Sequence, residues 1–193
     1  MIERHDNLPR ITPPFFEFPK KPRVFELEGN LVYEYIKPND MEMIIRSFAN
    51  QIDLNWFHKI VVNLKGGEYF AKSLAKLKNY HGEIINIEYH RDHKIIIPVP
   101  NYLKNQRICI VDDILDGGGT GLDILNDAPN ASFVFLTKKN GIENQISIPR
   151  SLVALQISDV WVGGCGMNLE SDGDGLPKDF ARNYPGLIAK IMS

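Results

Sequence analysis

The sequence predicts an α/β domain, a central parallel sheet flanked by helices, and three observations point there. Short uninterrupted apolar runs alternate along the chain with stretches whose apolar residues recur at helical spacing, the pattern of strand–helix–strand units. One of those runs, 108–111, ends in Asp112 and Asp113 and is followed by Asp116 and the turn Gly117-Gly118-Gly119-Thr120, which places chemistry at the carboxyl end of a buried strand. With 193 residues, 44% hydrophobic and 24% charged, the chain is long enough for one domain with a full core or a domain plus a small appendage.

Residues 1–29 form an N-terminal arm. Pro9, Pro13, Pro14, Pro19 and Pro22 exclude a helix, while Phe15, Phe16 and Phe18 give it something to dock with, so an ordered arm and a mobile tail are both expected. Residues 30–36 read as a strand, and Asn39-Asp40 offers a cap for a helix carrying Met41, Ile44, Ile45, Phe48 and Ile52 on its core face. A second buried strand, 60–64, runs into Lys65-Gly66-Gly67 and then a helix with Phe70, Leu74 and Leu77 on one side. A strand, a cation with two glycines and a helix start make an anion site in their own right. Strands are expected at 84–88 and 95–99, joined by the polar link 89–94. The central strand and its acids come next, followed by a short helix packed through Leu122, Ile124 and Leu125 and a turn at Pro129-Asn130. Strand 131–137 then ends at Lys138-Lys139, and a last strand spans 152–157. The segment 159–168 is glycine-rich, and 170–178 reads as an acidic surface insertion that lacks the ligand spacing and closing glutamate of a calcium loop.

The acid cluster is the informative part. Three carboxylates this close repel one another unless a cation or several ligand hydroxyls sit between them. Beside them the glycine turn leaves backbone N–H groups uncovered at a helix start, where the helix dipole adds partial positive charge. Thr120 adds a hydroxyl. Acids for sugar hydroxyls and a metal, next to a nest for phosphate, suit a phosphorylated sugar.

Composition excludes other classes. A net charge of −2 supplies no basic field for nucleic acid. No apolar stretch is long enough for a membrane span, and the N-terminus lacks the apolar core of a secretory leader, so no membrane association is expected. Two cysteines, Cys109 and Cys165, make no disulfide framework and suit a reducing cytoplasm. His90 and His93 stand three apart with no third ligand nearby, so no zinc site is expected there.

The run VDDILDGGGT resembles the signature of the type I phosphoribosyltransferases; a Walker A loop and a dinucleotide fingerprint are both absent. The softer motifs resemble the family's 6-oxopurine branch, the hypoxanthine-guanine and xanthine-guanine enzymes. That resemblance covers roughly residues 30–190 and implies a central parallel sheet with a small hood formed from the chain ends: a core over 30–158 and a closing segment over 159–193. It implies that Asp112 and Asp113 hold the ribose of 5-phosphoribosyl-1-pyrophosphate (PRPP) and that Gly117, Gly118, Gly119 and Thr120 bind its 5′-phosphate. The loop of Lys65 and Gly66, whose first peptide is often cis in that branch, would meet pyrophosphate, as would Arg182. Lys139, preferred to Lys138, would donate to the purine 6-oxygen, Trp161 would stack on the base and the Val162 backbone would bond its edge. Asp116 would handle the imidazole proton. Mg2+ would be held by Asp112, Asp113 and Asn168. Relatives are commonly homodimers or homotetramers.

Four departures stand out. Gly117 replaces the usual Thr, Asn168 replaces an acid, Glu143 stands near the place of an arginine, and the link 89–94 lacks the Ser-Tyr pair of the family's flap, where Tyr89, Arg91 and Lys94 would act on pyrophosphate instead. They leave open a PRPP- or nucleotide-binding regulator with little turnover, as well as a transferase for another base. A receiver or phosphatase domain is disfavoured, because no second strand offers an aspartate to phosphorylate.

Overall fold

The computed structural model describes residues 11–17, 19–90, 92–143, 145–169 and 179–190. The part of the arm before Ile11, and the insertion at 170–178, lie outside the described residues. The elements are β1 (Phe15–Phe16), β2 (Arg23–Leu27), β3 (Asn30–Ile36), α1 (Pro38–Ala49), β4 (Lys59–Asn63), α2 (Gly67–Leu77), β5 (Ile84–Tyr89), β6 (Ile95–Ile97), β7 (Ile108–Leu115), α3 (Gly119–Asp127), β8 (Ser132–Lys139), β9 (Ser151–Ile157), β10 (Val162–Gly163) and β11 (Leu187–Lys190).

Seven strands pair in the order β1-β9-β8-β7-β4-β5-β6. All pairings are parallel except β5 with β6, which form a hairpin at one edge. The period-2 alternation of β7 divides the interior. Cys109 and Val111 join Met41, Ile45 and Phe48 of α1 and Phe70 and Leu74 of α2 on one face. Ile108 and Ile110 join Ile124 of α3, Phe133 and Phe135 on the other. Both faces of the strand are dry, which is why the run carries no polar residue before its acids.

A second sheet, β10-β11-β3-β2, forms the hood. Its strands are antiparallel, and Val32, Leu169, Phe180 and Ile188 form a small core beneath it. Residues 30–36, grouped with the core in the sequence reading, pair here with β2 and β11. The arm is docked from Ile11 onward: β1 extends the main sheet along β9, and Ile11 and Phe16 pack on the larger core. Tyr35 ties these parts together, its hydroxyl donating to Phe16 O (2.5 Å) and accepting from Ser158 N (3.0 Å).

Three local expectations are corrected. Helix α1 begins at Pro38 rather than behind an Asn39-Asp40 cap, because proline's fixed φ suits the first helical position and the Lys37 carbonyl accepts from Met41 N. The strand β7 does not stop at the acids: its ladder with β8 continues to Leu115↔Lys138, so Asp112 and Asp113 sit within the strand. Strand β6 is three residues long and lies antiparallel at the edge, with all three isoleucines exposed.

Phe70 has no exposed surface and its ring lies 5.8 Å from that of Phe48, so it joins α2 to α1. Phe70→Ala is expected to cost about 3–5 kcal/mol in a urea unfolding curve. An unchanged midpoint would show that the helices do not depend on this contact.

Candidate functional site

The chain runs from β4 to β5 on one side of the sheet and from β7 through β8 to β9 on the other, so β4 and β7 are the neighbours between which strand order reverses. Ligands of open α/β sheets bind at such a switch point, beyond the carboxyl ends of the strands. A cavity of about 640 Å³ lies there. Among its lining residues are Lys65 and Gly66 after β4, the whole run 112–121, and Asn168 and Arg182 from the hood side.

Asp112 is 6% exposed, and both its oxygens accept hydrogen bonds, Oδ1 from Asp113 N (3.0 Å) and Oδ2 from Asn63 Nδ2 (3.2 Å). Burial, and then the charge of Asp113, push its carboxyl well above the usual range. Asp113 is raised too, again chiefly by burial, with hydrogen bonds and the Arg182 guanidinium pulling the other way. Among the described residues no group of three His, Cys, Asp or Glu side chains is arranged to hold a metal. The pair nevertheless fits a cation that completes its shell with ligand oxygens and water, as Mg2+ does, because such a charge offsets the burial that raises both groups and the repulsion that adds to it at Asp112.

The loop after β4 reaches this pair by backbone. The Leu64–Lys65 peptide is cis. A Cβ on Gly66 would stand 1.7 Å from Asp113 Oδ2, so only glycine allows this approach. On the other side of the acids Gly118 has φ +90°, and a Cβ there would meet Ile146 O at 2.7 Å. Ile146 N in turn donates to Gly117 O (2.9 Å), which fixes the turn that opens α3.

A smaller cavity of about 120 Å³ adjoins the first and shares Asp113, Ile114, Asp116 and Asn168 with it. Its other walls are Lys139, Trp161, Val162 and Met167. Lys139 is 5% exposed, with Nζ 3.4 Å from Asp116 Oδ2, 3.4 Å from Asp159 Oδ1 and 5.3 Å from the centre of the Trp161 ring. Strand alternation sends Lys138 to a different cavity, beside Ile11 and Pro13. Trp161 Nε1 donates to Leu169 O (3.2 Å), which ties the indole to the hood. Arg182 donates through Nη1 to Gly166 O (2.5 Å) and pairs with Asp179 (2.9 Å).

Lys65, Gly66, Asp112, Asp113, Asp116, residues 117–120, Lys139, Trp161, Val162, Asn168 and Arg182 therefore all line these two adjoining cavities. Two that hold them there were missed. Asn63 bonds Asp112 and also grips the backbone of Tyr89, accepting from its N–H (2.9 Å) and donating to its carbonyl (3.3 Å). Its signal was a lone amide closing an apolar strand. Gln145 Nε2 lies within hydrogen-bond distance of Leu115 O, Asp116 O and Lys139 O (3.3, 2.6 and 3.1 Å), and nothing in its polar loop marked it. Tyr89 departs from its expected role: its hydroxyl is engaged by Asp127 and Val99 N. Arg91 lies outside the described residues. His90 and His93 pair with Glu88 and Asp123.

The solved structures decide the architecture. A Staphylococcus aureus hypoxanthine phosphoribosyltransferase aligns over 81% of this chain and 89% of its own, with TM-score 0.63 and 21% identity. A hypoxanthine-guanine-xanthine phosphoribosyltransferase aligns over 83% and 96%, with TM-score 0.67 and 17% identity. The hypoxanthine phosphoribosyltransferase of Trypanosoma cruzi aligns over 81% and 94%, with TM-score 0.63 and 16% identity. This chain has the type I phosphoribosyltransferase fold. No family model matches the sequence, and no curated protein is significantly similar to it. In the phosphoribosyltransferase fold of this chain the acids, glycine turns and hood meet at the switch point because the topology brings them there, not because neighbouring sequence does.

The raised carboxyls carry a cost. A carboxyl whose folded pKa lies above its unfolded value stabilises the fold at low pH and loses that contribution as pH rises through the folded pKa. Asp113→Asn, which has no charge to bury, is therefore expected to raise the melting temperature of the ligand-free protein at pH 8. The gain should vanish below about pH 4, where an ordinary aspartate is protonated. A variant no more stable than the parent at pH 8 would contradict the strain assigned to the pair.

Proposed function

We propose that this protein is a purine salvage phosphoribosyltransferase. It would transfer the 5-phosphoribosyl group of PRPP to a 6-oxopurine base, hypoxanthine, guanine or xanthine, giving a nucleoside monophosphate such as IMP or GMP and pyrophosphate. The observation that carries this reading is the pair of joined cavities: one with acids and uncovered backbone for a phosphorylated sugar, the other with a lysine and an indole for a flat base.

In this reading Asp112 and Asp113 hold the ribose hydroxyls and keep negative charge near the cationic anomeric carbon. Gly117, Gly118, Gly119 and Thr120 take the 5′-phosphate on backbone N–H groups where α3 begins. Lys65, Gly66 and Arg182 face the pyrophosphate, whose charge grows as its bond to the ribose breaks. Lys139 donates to the 6-oxygen, Trp161 stacks on the ring and the Val162 backbone bonds the base edge. Asp116, beside Lys139, accepts the proton of the imidazole nitrogen that attacks. Mg2+ bound at Asp112, Asp113 and the weaker amide ligand Asn168 would neutralise pyrophosphate oxygens. Two buried free cysteines suit a reducing cytoplasm, and we extend the proposal to a cytoplasmic homodimer or homotetramer. Among the described residues no helix is long and apolar enough to cross a membrane.

The purified protein, given PRPP and Mg2+ with hypoxanthine, guanine, xanthine, adenine and uracil in turn, should release pyrophosphate with one or more of the 6-oxopurines. Asp116→Asn should lower turnover by about 10²–10⁴ while leaving PRPP affinity intact. Product from adenine or uracil alone would reassign the base. PRPP binding without product from any base would favour a regulator.

A further inference from the structure

A further cavity, of about 280 Å³, shares only Leu115 with the larger of the two joined ones, and the transfer reading makes no use of it. Sheet register builds it. Lys138 pairs with Leu115 of β7 on one side and with Gln156 of β9 on the other, and all three line the cavity. The docked arm adds Ile11 and Pro13, and the loop 145–148 adds Ile146 and Ser147. Lys138 is the only charged residue among those described in the lining. Its neighbour Lys139 is met by Asp116 and Asp159, whereas among the described residues no carboxylate pairs with the half-buried Lys138. A lysine that shares its cavity with Leu115, Leu152 and Val153 gives up hydration that no acid replaces, and an incoming anion would offset that cost.

We infer that this cavity is a binding site for a small organic monoanion, a carboxylate carried on a short apolar body. The inference goes beyond the phosphoribosyl-transfer reading and does not depend on it. Charge selects the ligand class: one lysine balances one carboxylate, whereas a phosphate monoester, at about −1.5 to −2, would stay partly uncompensated. Neutral donors complete the head group's shell. Gln156 Oε1 accepts from Asn140 Nδ2 (2.7 Å), which leaves the Nε2 end of that side chain to donate, and the exposed Ser147 offers a hydroxyl. Leu115, Ile146, Leu152 and Val153 give the body an apolar wall. Part of that wall also serves the acid site, because Ile146 N donates to Gly117 O (2.9 Å) and Gln145 Nε2 lies within hydrogen-bond distance of the Leu115 and Asp116 carbonyls. An occupant would therefore touch the loop that fixes the turn before α3.

Ligand-observed NMR titration of the whole chain tests this with butyrate and its uncharged counterpart butyramide. The parent should bind butyrate saturably, and Lys138→Met should weaken that binding about ten- to a hundred-fold, the range for a hydrogen bond to a charged group. Butyramide should bind the parent more weakly than butyrate by a similar factor, a comparison that needs no variant to fold. Butyrate bound by Lys138→Met at the parent affinity would overturn the assignment. Equal affinity of the parent for acid and amide, or no saturable butyrate binding, would overturn it as well, and none of these outcomes bears on the transferase assay.

Discussion

Two adjacent carboxylates on a central, doubly covered strand are the constraint from which the rest follows. Burial raises both Asp112 and Asp113, and the charge of Asp113 raises Asp112 further, so the two are not both charged there without help. Each neighbouring feature limits that cost. Asn63 and the Asp113 N–H hydrogen-bond Asp112, and Arg182 brings a positive charge across from the hood toward Asp113. What remains uncompensated is what a cation or a polyhydroxyl ligand would relieve. The ligand-free pair is thus strained, and on the proposed reading stability is given up there for binding.

Topology turns that strain into a pocket. The strands β4 and β7 are parallel neighbours in register, Val62 opposite Val111, so the loops that follow them open at the same height. Glycine at 66 lets one loop touch the acids, and glycine at 118 turns the other into α3. The hood closes the remaining side: Gly166, whose Cβ would stand 2.3 Å from Gly66 O, brings the hood turn against the loop after β4. Three segments distant in sequence meet backbone to backbone at one edge.

Much of this was legible in the residues. The apolar runs gave the strands because burial on both faces removes every polar position, and the DD-x-x-D-GGGT pattern marked the site because acids beside glycines have few structural uses. Strand ends were less legible. The ladder to β8 carries β7 through its acids to Leu115, and ladder pairing is set by partner residues 23 positions away that no local pattern reveals. The place of residues 30–36 in the hood follows from pairing with β11 at the far end of the chain. Asn63 and Gln145 were harder still, since each acts through contacts fixed only when distant elements pack.

The central claim is that a phosphorylated pentose is held where β7 ends. A crystal structure of the protein with PRPP and Mg2+ tests it most directly. The account predicts the 5′-phosphate in the turn of Gly117 to Thr120 and the ribose hydroxyls on Asp112 and Asp113. PRPP bound elsewhere, or that corner filled by the protein's own side chains, would contradict it.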